Sequence, residues 1–67
     1  MNQDLYNGIF KGLPDLLTVE DMSNVLGIST KTCYQLLKER HIKSIKVGRF
    51  FRIPKLRLME YLGLIAG

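Results

Sequence analysis

Apolar residues in the middle of the chain recur with the period of an α-helix. Thr18 is followed three residues later by Asp21, an arrangement that resembles a capping box with Asp in place of the usual Glu. This start signal predicts a helix from Val19 to Leu26. Gly27 is predicted to end that helix, because glycine adopts a left-handed backbone conformation without strain.

A second helix is predicted to begin almost immediately. Its apolar side consists of Cys33, Leu36 and Leu37. Ser29 is the candidate N-cap, and the helical pattern continues from Thr30 to Arg40. Because only about three residues separate the two helices, they are expected to cross sharply.

Beyond the second helix, the apolar residues follow the alternation typical of strands. The alternating residues are Ile45, Val47, Phe51 and Ile53. Gly48 and Arg49 lie between the two pairs, which predicts a small hairpin with these two residues as its turn. Pro54 is predicted to occupy the first turn of a last helix, which Gly63 or Gly67 ends. The predicted order is helix, helix, hairpin, helix.

The first fourteen residues carry a weaker signal. Apolar residues at helical spacing predict a short helix over about residues 4–11, but Gly8 and Gly12 weaken it. We therefore expect residues 1–14 to form a leader whose apolar side lies on the domain in preference to binding a partner. A chain of 67 residues has no room for a second core, so residues 15–67 are predicted to form one domain.

Charge is divided unevenly between the two halves of the chain. Residues 1–30 have a net charge of −3, whereas residues 31–67 carry nine basic and two acidic side chains, a net charge of +7. Basic charge concentrated in one half suggests a polyanionic partner. Charge alone does not distinguish such a partner from a solvated basic surface.

Catalytic and metal-binding chemistry finds little support in the composition. One cysteine and one histidine provide neither a disulfide nor a four-ligand metal cluster, and Cys33 lies on an apolar helix face, where a thiol is inert. We predict no catalytic residue, no metal, no cofactor and no enzymatic activity. The chain also has no apolar run near the ~20 residues that span a bilayer, so a cytoplasmic protein without a membrane partner is expected.

The stretch from Leu17 to Leu62 resembles a known DNA-binding domain. Its segments LLTVEDMSNVLGIS, TKTCYQLLKE and IKVGRFFRIP, with a closing helix ending in MEYL, are similar to the excisionase-type winged helix-turn-helix domain, a relative of the DNA-binding part of MerR regulators. The resemblance implies a mainly α fold with a helix-turn-helix, a two-stranded wing and a C-terminal helix. The chain departs from the family pattern at Gln35, where a basic residue is usual, and at Phe51, where Trp is common.

The second helix is the predicted recognition helix. Lys31, Gln35 and Lys38 lie opposite its apolar side, where lysine reaches G O6/N7 and glutamine reaches A N6/N7 in the major groove. Phosphate contacts are predicted from the helix start beyond Ser29 and from the hydroxyls of Thr30, Thr32 and Tyr34.

The hairpin is the predicted wing. Gly48 allows a tight turn, and Arg49 at the tip reaches a neighbouring minor groove, whose negative potential favours arginine. Lys46 and Arg52 are predicted to hold the flanking phosphates.

The resemblance implies an excisionase, also called a recombination directionality factor. Such proteins bind and bend attachment-site DNA of a prophage or conjugative transposon and direct a tyrosine-type integrase toward excision. The implied partners are double-stranded DNA, that integrase and neighbouring copies that associate cooperatively on DNA. Two alternatives stay open: a small transcriptional regulator that uses the same DNA surface, and a protein-interaction module. The apolar patch considered for the module consists of Leu5, Ile9, Phe10, Leu56 and Leu64.

Overall fold

The computed structural model describes residues 8–65. It confirms the predicted order and the mainly α winged helix-turn-helix class, and it adds one short strand at the front of the domain. Residues 8–11 are helical, and the rest of the helix predicted over 4–11 lies outside the described residues. The elements are β1 (Leu16–Leu17), α1 (Val19–Leu26), α2 (Thr30–Lys38), β2 (Ile45–Val47), β3 (Phe50–Pro54) and α3 (Lys55–Tyr61).

The capping signals place the first helix where the sequence predicts it. The backbone N–H of Asp21 donates to Thr18 Oγ1 at 3.1 Å, and the backbone N–H of Thr18 donates to Asp21 Oδ2 at 3.1 Å, so the capping box is confirmed. Gly27 ends α1 with φ 66°, and its N–H donates to the Ser23 carbonyl at 2.8 Å. Gly27 thus leaves only a short turn between α1 and α2.

Helix α2 begins as predicted and ends two residues early. The backbone N–H of Thr32 donates to Ser29 Oγ at 3.2 Å, which confirms Ser29 as the N-cap. The helix ends at Lys38 instead of Arg40, because Arg40 has φ 60° and leaves the right-handed helix. The N–H of Arg40 donates to the Leu37 carbonyl at 3.2 Å, and the N–H of His41 donates to the Leu36 carbonyl at 3.0 Å, the arrangement of a Schellman motif.

Arg40 occupies a backbone position that favours glycine. A side chain at φ near +60° costs roughly 1–2 kcal/mol. Glycine at this position would avoid that strain, but its greater freedom in the unfolded chain would offset part of the gain. We therefore expect Arg40→Gly to raise the free energy of unfolding by about 0.5–1 kcal/mol. Urea unfolding followed by circular dichroism measures this change. Arg40→Ala, which keeps the strain, is the matched control; equal stability of the two variants would contradict the expectation.

The sheet has three antiparallel strands in the order β1-β3-β2. The wing strands β2 and β3 are confirmed, whereas β1 is not predicted by the sequence pattern, because two residues are too few to show alternation. The prediction that Pro54 lies in the first turn of the last helix is wrong. Pro54 pairs with Leu16 as the last residue of β3, and the N–H of Lys55 donates to the Asp15 carbonyl at 2.9 Å, which keeps the chain extended up to that point.

The core lies between α1, α2, α3 and the inner face of the sheet. Its fully enclosed side chains are Phe10, Leu17, Met22, Cys33, Ile53 and Leu58. Burial raises the pKa of the Cys33 thiol, only partly opposed by a backbone hydrogen bond. No helix among residues 8–65 is long or apolar enough to cross a membrane, and no cluster of three metal-ligating side chains occurs in this part of the chain.

The leader contributes to this core. Phe10 is 2% exposed, so the apolar patch considered in the sequence analysis does not include it. Of the other members, Ile9 and Leu56 are exposed, Leu64 is half-buried, and Leu5 lies outside the described residues. Lys55 Nζ donates to the carbonyls of Phe10 at 3.1 Å and Leu13 at 3.2 Å, which fastens the leader to the start of α3.

Candidate nucleic-acid interface

The predicted reading residues form one exposed strip along α2. Lys31, Gln35 and Lys38 are exposed, on the side of the helix opposite the buried Cys33 and Leu37. A single shallow groove along the helix is lined by Thr30, Lys31, Tyr34, Gln35, Lys38 and Glu39. Two cationic donors and an amide therefore face solvent together, with one carboxylate at the far end of the strip.

The hydroxyl groups at the start of α2 are arranged as an N-cap. Ser29 Oγ lies 3.0 Å from Thr32 Oγ1 and accepts the N–H of Thr32, so these two hydroxyls are bonded to each other. Thr30 is exposed beside them. The first turn of α2 contains no acidic residue. The partial positive charge of this helix end is therefore open to an anion, in keeping with the predicted phosphate contacts.

An aromatic contact joins α2 to the wing. The Tyr34 and Phe51 rings meet edge to face, with centroids 6.0 Å apart and an interplanar angle of 62°. Lys46 Nζ lies 5.5 Å from the centroid of the Phe51 ring. The sequence analysis did not assign Phe51 to the site. The signal that could have found it is an aromatic residue in β3 at an alternating position whose side chain faces α2. This contact joins the wing to α2.

The wing presents its predicted cations at the tip and on both faces. Gly48 has φ 62° in the turn, and Arg49 beside it is exposed. Arg52 is half-buried: its Nη1 donates to the Phe51 carbonyl at 3.2 Å, and its guanidinium carbon lies 5.6 Å from the Phe50 ring centroid. Arg52 is thus held in place, with further N–H donors available to a phosphate.

Basic residues recur at every third position through the wing. They are Lys43, Lys46, Arg49, Arg52 and Lys55. A spacing of three on strands that alternate every two residues puts successive cations on opposite faces. Lys43 is exposed and extends the basic surface. The sequence analysis did not include Lys43 in the site, although the spacing of three between basic residues could have identified it. Lys55 points instead to the leader.

The predicted DNA-contacting cations have no carboxylate partner among the described residues. The ion pairs of residues 8–65 join His41 with Glu39 at 3.4 Å, Lys55 with Asp15 at 3.8 Å and Arg57 with Glu60 at 3.1 Å. The charges of α2 and of the wing are therefore not neutralised within this part of the chain. A surface of this kind is the electrostatic footprint of nucleic-acid binding.

A helix-turn-helix with a wing and an unneutralised basic face defines a DNA-binding protein. The profile of the family described as "Helix-turn-helix domain" matches residues 16–63, and the chain belongs to that family. It is 37% identical over 46 residues to a "Probable excisionase" of Saccharopolyspora erythraea, a match that covers 69% of this chain and 47% of that protein. The chain thus spans about half the length of this curated relative.

No solved structure matches the chain at a significant level. The family match and the curated relative together confirm the excisionase-family resemblance of the helix-turn-helix. The relation to MerR regulators and the contacts of individual residues with DNA stay predictions.

Proposed function

We propose that this chain is an excisionase that binds attachment-site DNA of a mobile element. The observation that carries the proposal is the set of exposed cations and hydrogen-bond donors on α2 and on the wing, two elements that the contact between Tyr34 and Phe51 joins. The similarity to a probable excisionase supports the same conclusion. The mobile element is a prophage or a conjugative transposon.

Each part of the surface has a role in this proposal. Lys31, Gln35 and Lys38 read base edges in the major groove, because they are exposed together on the outer side of α2. The start of α2 and the Tyr34 hydroxyl hold phosphates and set the register of the helix on the duplex. Arg49 enters the adjacent minor groove, and Lys43, Lys46 and Arg52 hold the phosphates beside it.

In this proposal, several copies of the domain share the free-energy cost of bending a whole attachment site. A single small module buries only ~600–1,000 Å² of its surface on DNA. A 40–90° bend over a short site costs of order 1–6 kcal/mol. Several copies bound side by side, together with contacts to a tyrosine-type integrase, supply this free energy. In this proposal the chain carries no catalytic step, and strand exchange belongs to the integrase.

Selection of bound duplexes from a random DNA pool at near-physiological salt tests the proposal. We expect enrichment of a short motif in head-to-tail copies, because neighbouring copies then bind with the same orientation. A palindromic motif would favour a dimeric transcriptional regulator with the same DNA surface. If the pool is not enriched for any motif, the proposal that the isolated chain binds DNA sequence-specifically is wrong.

A further inference from the structure

The outer face of the wing exposes apolar side chains. Val47 and Phe50 are direct cross-strand partners and therefore point to the same face of the hairpin. They are 61% and 62% exposed, the largest fractions among the bulky apolar residues that the structure describes. Ile45 lies on the same face, opposite Arg52. Apolar side chains that lie together on one exposed face are a mark of interaction sites, in contrast to apolar residues scattered singly.

The charge around this face indicates its occupant. Residues 43–52 contain four basic side chains and no acidic one. Arg49 directly precedes Phe50, and the guanidinium of Arg52 stacks on its ring, so the apolar pair is bordered by positive charge. A protein surface that met this face would have to match that charge, whereas a DNA groove presents apolar sugars and base edges between two rows of phosphates.

The fold sets the direction in which the apolar pair points. The opposite face of the hairpin is occupied, because Phe51 packs on Tyr34 and Ile53 is buried in the core. The outer face therefore cannot turn inward, and Val47 and Phe50 stand on either side of the turn at Gly48 and Arg49. The apolar pair therefore lies beside Arg49 at the tip of the wing and approaches DNA together with it.

We propose that Phe50, supported by Val47, is an apolar wedge that enters the minor groove and partly unstacks a base step. The inference rests on the DNA binding set out above and assigns the origin of the bend to this residue. Apolar side chains inserted from the minor groove kink a duplex toward the major groove. The guanidinium of Arg52, whose carbon lies 5.6 Å from the ring centroid, favours this position of the Phe50 ring before DNA is bound.

Binding of Phe50→Ala to a duplex with one copy of the selected motif tests the wedge. We expect affinity about tenfold below that of the unsubstituted protein, an unchanged salt dependence and a smaller bend, measured as energy transfer between dyes on the two DNA ends. A 2-aminopurine placed at the contacted step should brighten with the unsubstituted protein and not with Phe50→Ala. Phe50→Leu should keep most of the bend.

Two matched variants separate this effect from others. Tyr61→Ala removes an exposed aromatic from α3 and should leave affinity and bend unchanged. Arg49→Ala should instead lower the slope of log affinity against log salt by about one.

A single-motif duplex also separates DNA from protein as the occupant. Unchanged affinity and bend for Phe50→Ala would overturn the wedge while leaving the proposed function standing. If only cooperativity on duplexes with several motifs were lost, the face would bind a neighbouring copy, and the wedge would again be wrong. Absence of any binding by the unsubstituted protein would overturn both proposals.

Discussion

The double variant Lys31→Ala/Lys38→Ala is expected to bind its selected DNA site at least about thirtyfold more weakly than the unsubstituted protein. Each lysine is exposed on the outer side of α2, where a good base contact is worth ~1–3 kcal/mol. Residual non-specific binding should persist, because the cations of the wing are untouched. Fluorescence anisotropy with the selected duplex and with a scrambled duplex measures both quantities.

A matched variant shows whether position matters or only charge. Lys11→Ala/Arg57→Ala also removes two positive charges from exposed positions outside the strip on α2. The ion pair of Arg57 with Glu60 is on the surface and contributes little to stability. This control should retain the preference for the selected site. If the two double variants bind equally well, α2 is not the recognition helix and net charge alone accounts for binding.

Local signals were sufficient to predict most of the fold. The capping pair Thr18 and Asp21, the N-cap Ser29 and the left-handed Gly27 act within four residues along the chain, so their effect is visible in the sequence. The turn at Gly48 and Arg49 is local in the same sense. The end of α2 was predicted too late because Arg40 adopts a left-handed conformation. Glycine is the usual residue in this conformation, and an arginine gives no such signal in the sequence.

Features that depend on distant contacts were not predicted. Strand β1 exists because Leu16 and Leu17 pair with β3, more than thirty residues later, and two residues show no period of their own. In the sequence, Lys55 is indistinguishable from the other cations of the basic half. In the structure, its ammonium group donates to carbonyls of the leader. The sequence did not predict either interaction, because the partners are far apart along the chain and their neighbouring residues give no local signal.

The candidate site divides in the same way. The exposed donors of α2 follow from helical periodicity, which places Lys31, Gln35 and Lys38 opposite the core. The placement of the wing depends on the contact of Tyr34 with Phe51, which only the three-dimensional arrangement reveals. The apolar pair on the outer face also required the strand register, because exposure of Phe50 cannot be distinguished from burial in a run of two phenylalanines.

Phe10→Ala is expected to leave a large fraction of the protein molecules unfolded at 25 °C. Phe10 is one of the fully enclosed side chains of the core, and removal of such a ring costs about 3–5 kcal/mol. A core this small rarely supplies more than about 3–5 kcal/mol in total. The loss is therefore comparable to the whole free energy of unfolding. Urea unfolding, followed by far-ultraviolet circular dichroism, measures it.

Ile9→Ala is the matched control, because it shortens an exposed side chain one residue away in the same helical segment. It should change the free energy of unfolding by less than about 0.5 kcal/mol. If Phe10→Ala is as stable as this control, the leader rests on the surface and the domain begins at residue 15, as the sequence predicts. If Phe10→Ala unfolds, the ammonium of Lys55 and the ring of Phe10 join the leader to the core, and the folding unit extends to the residues around Phe10.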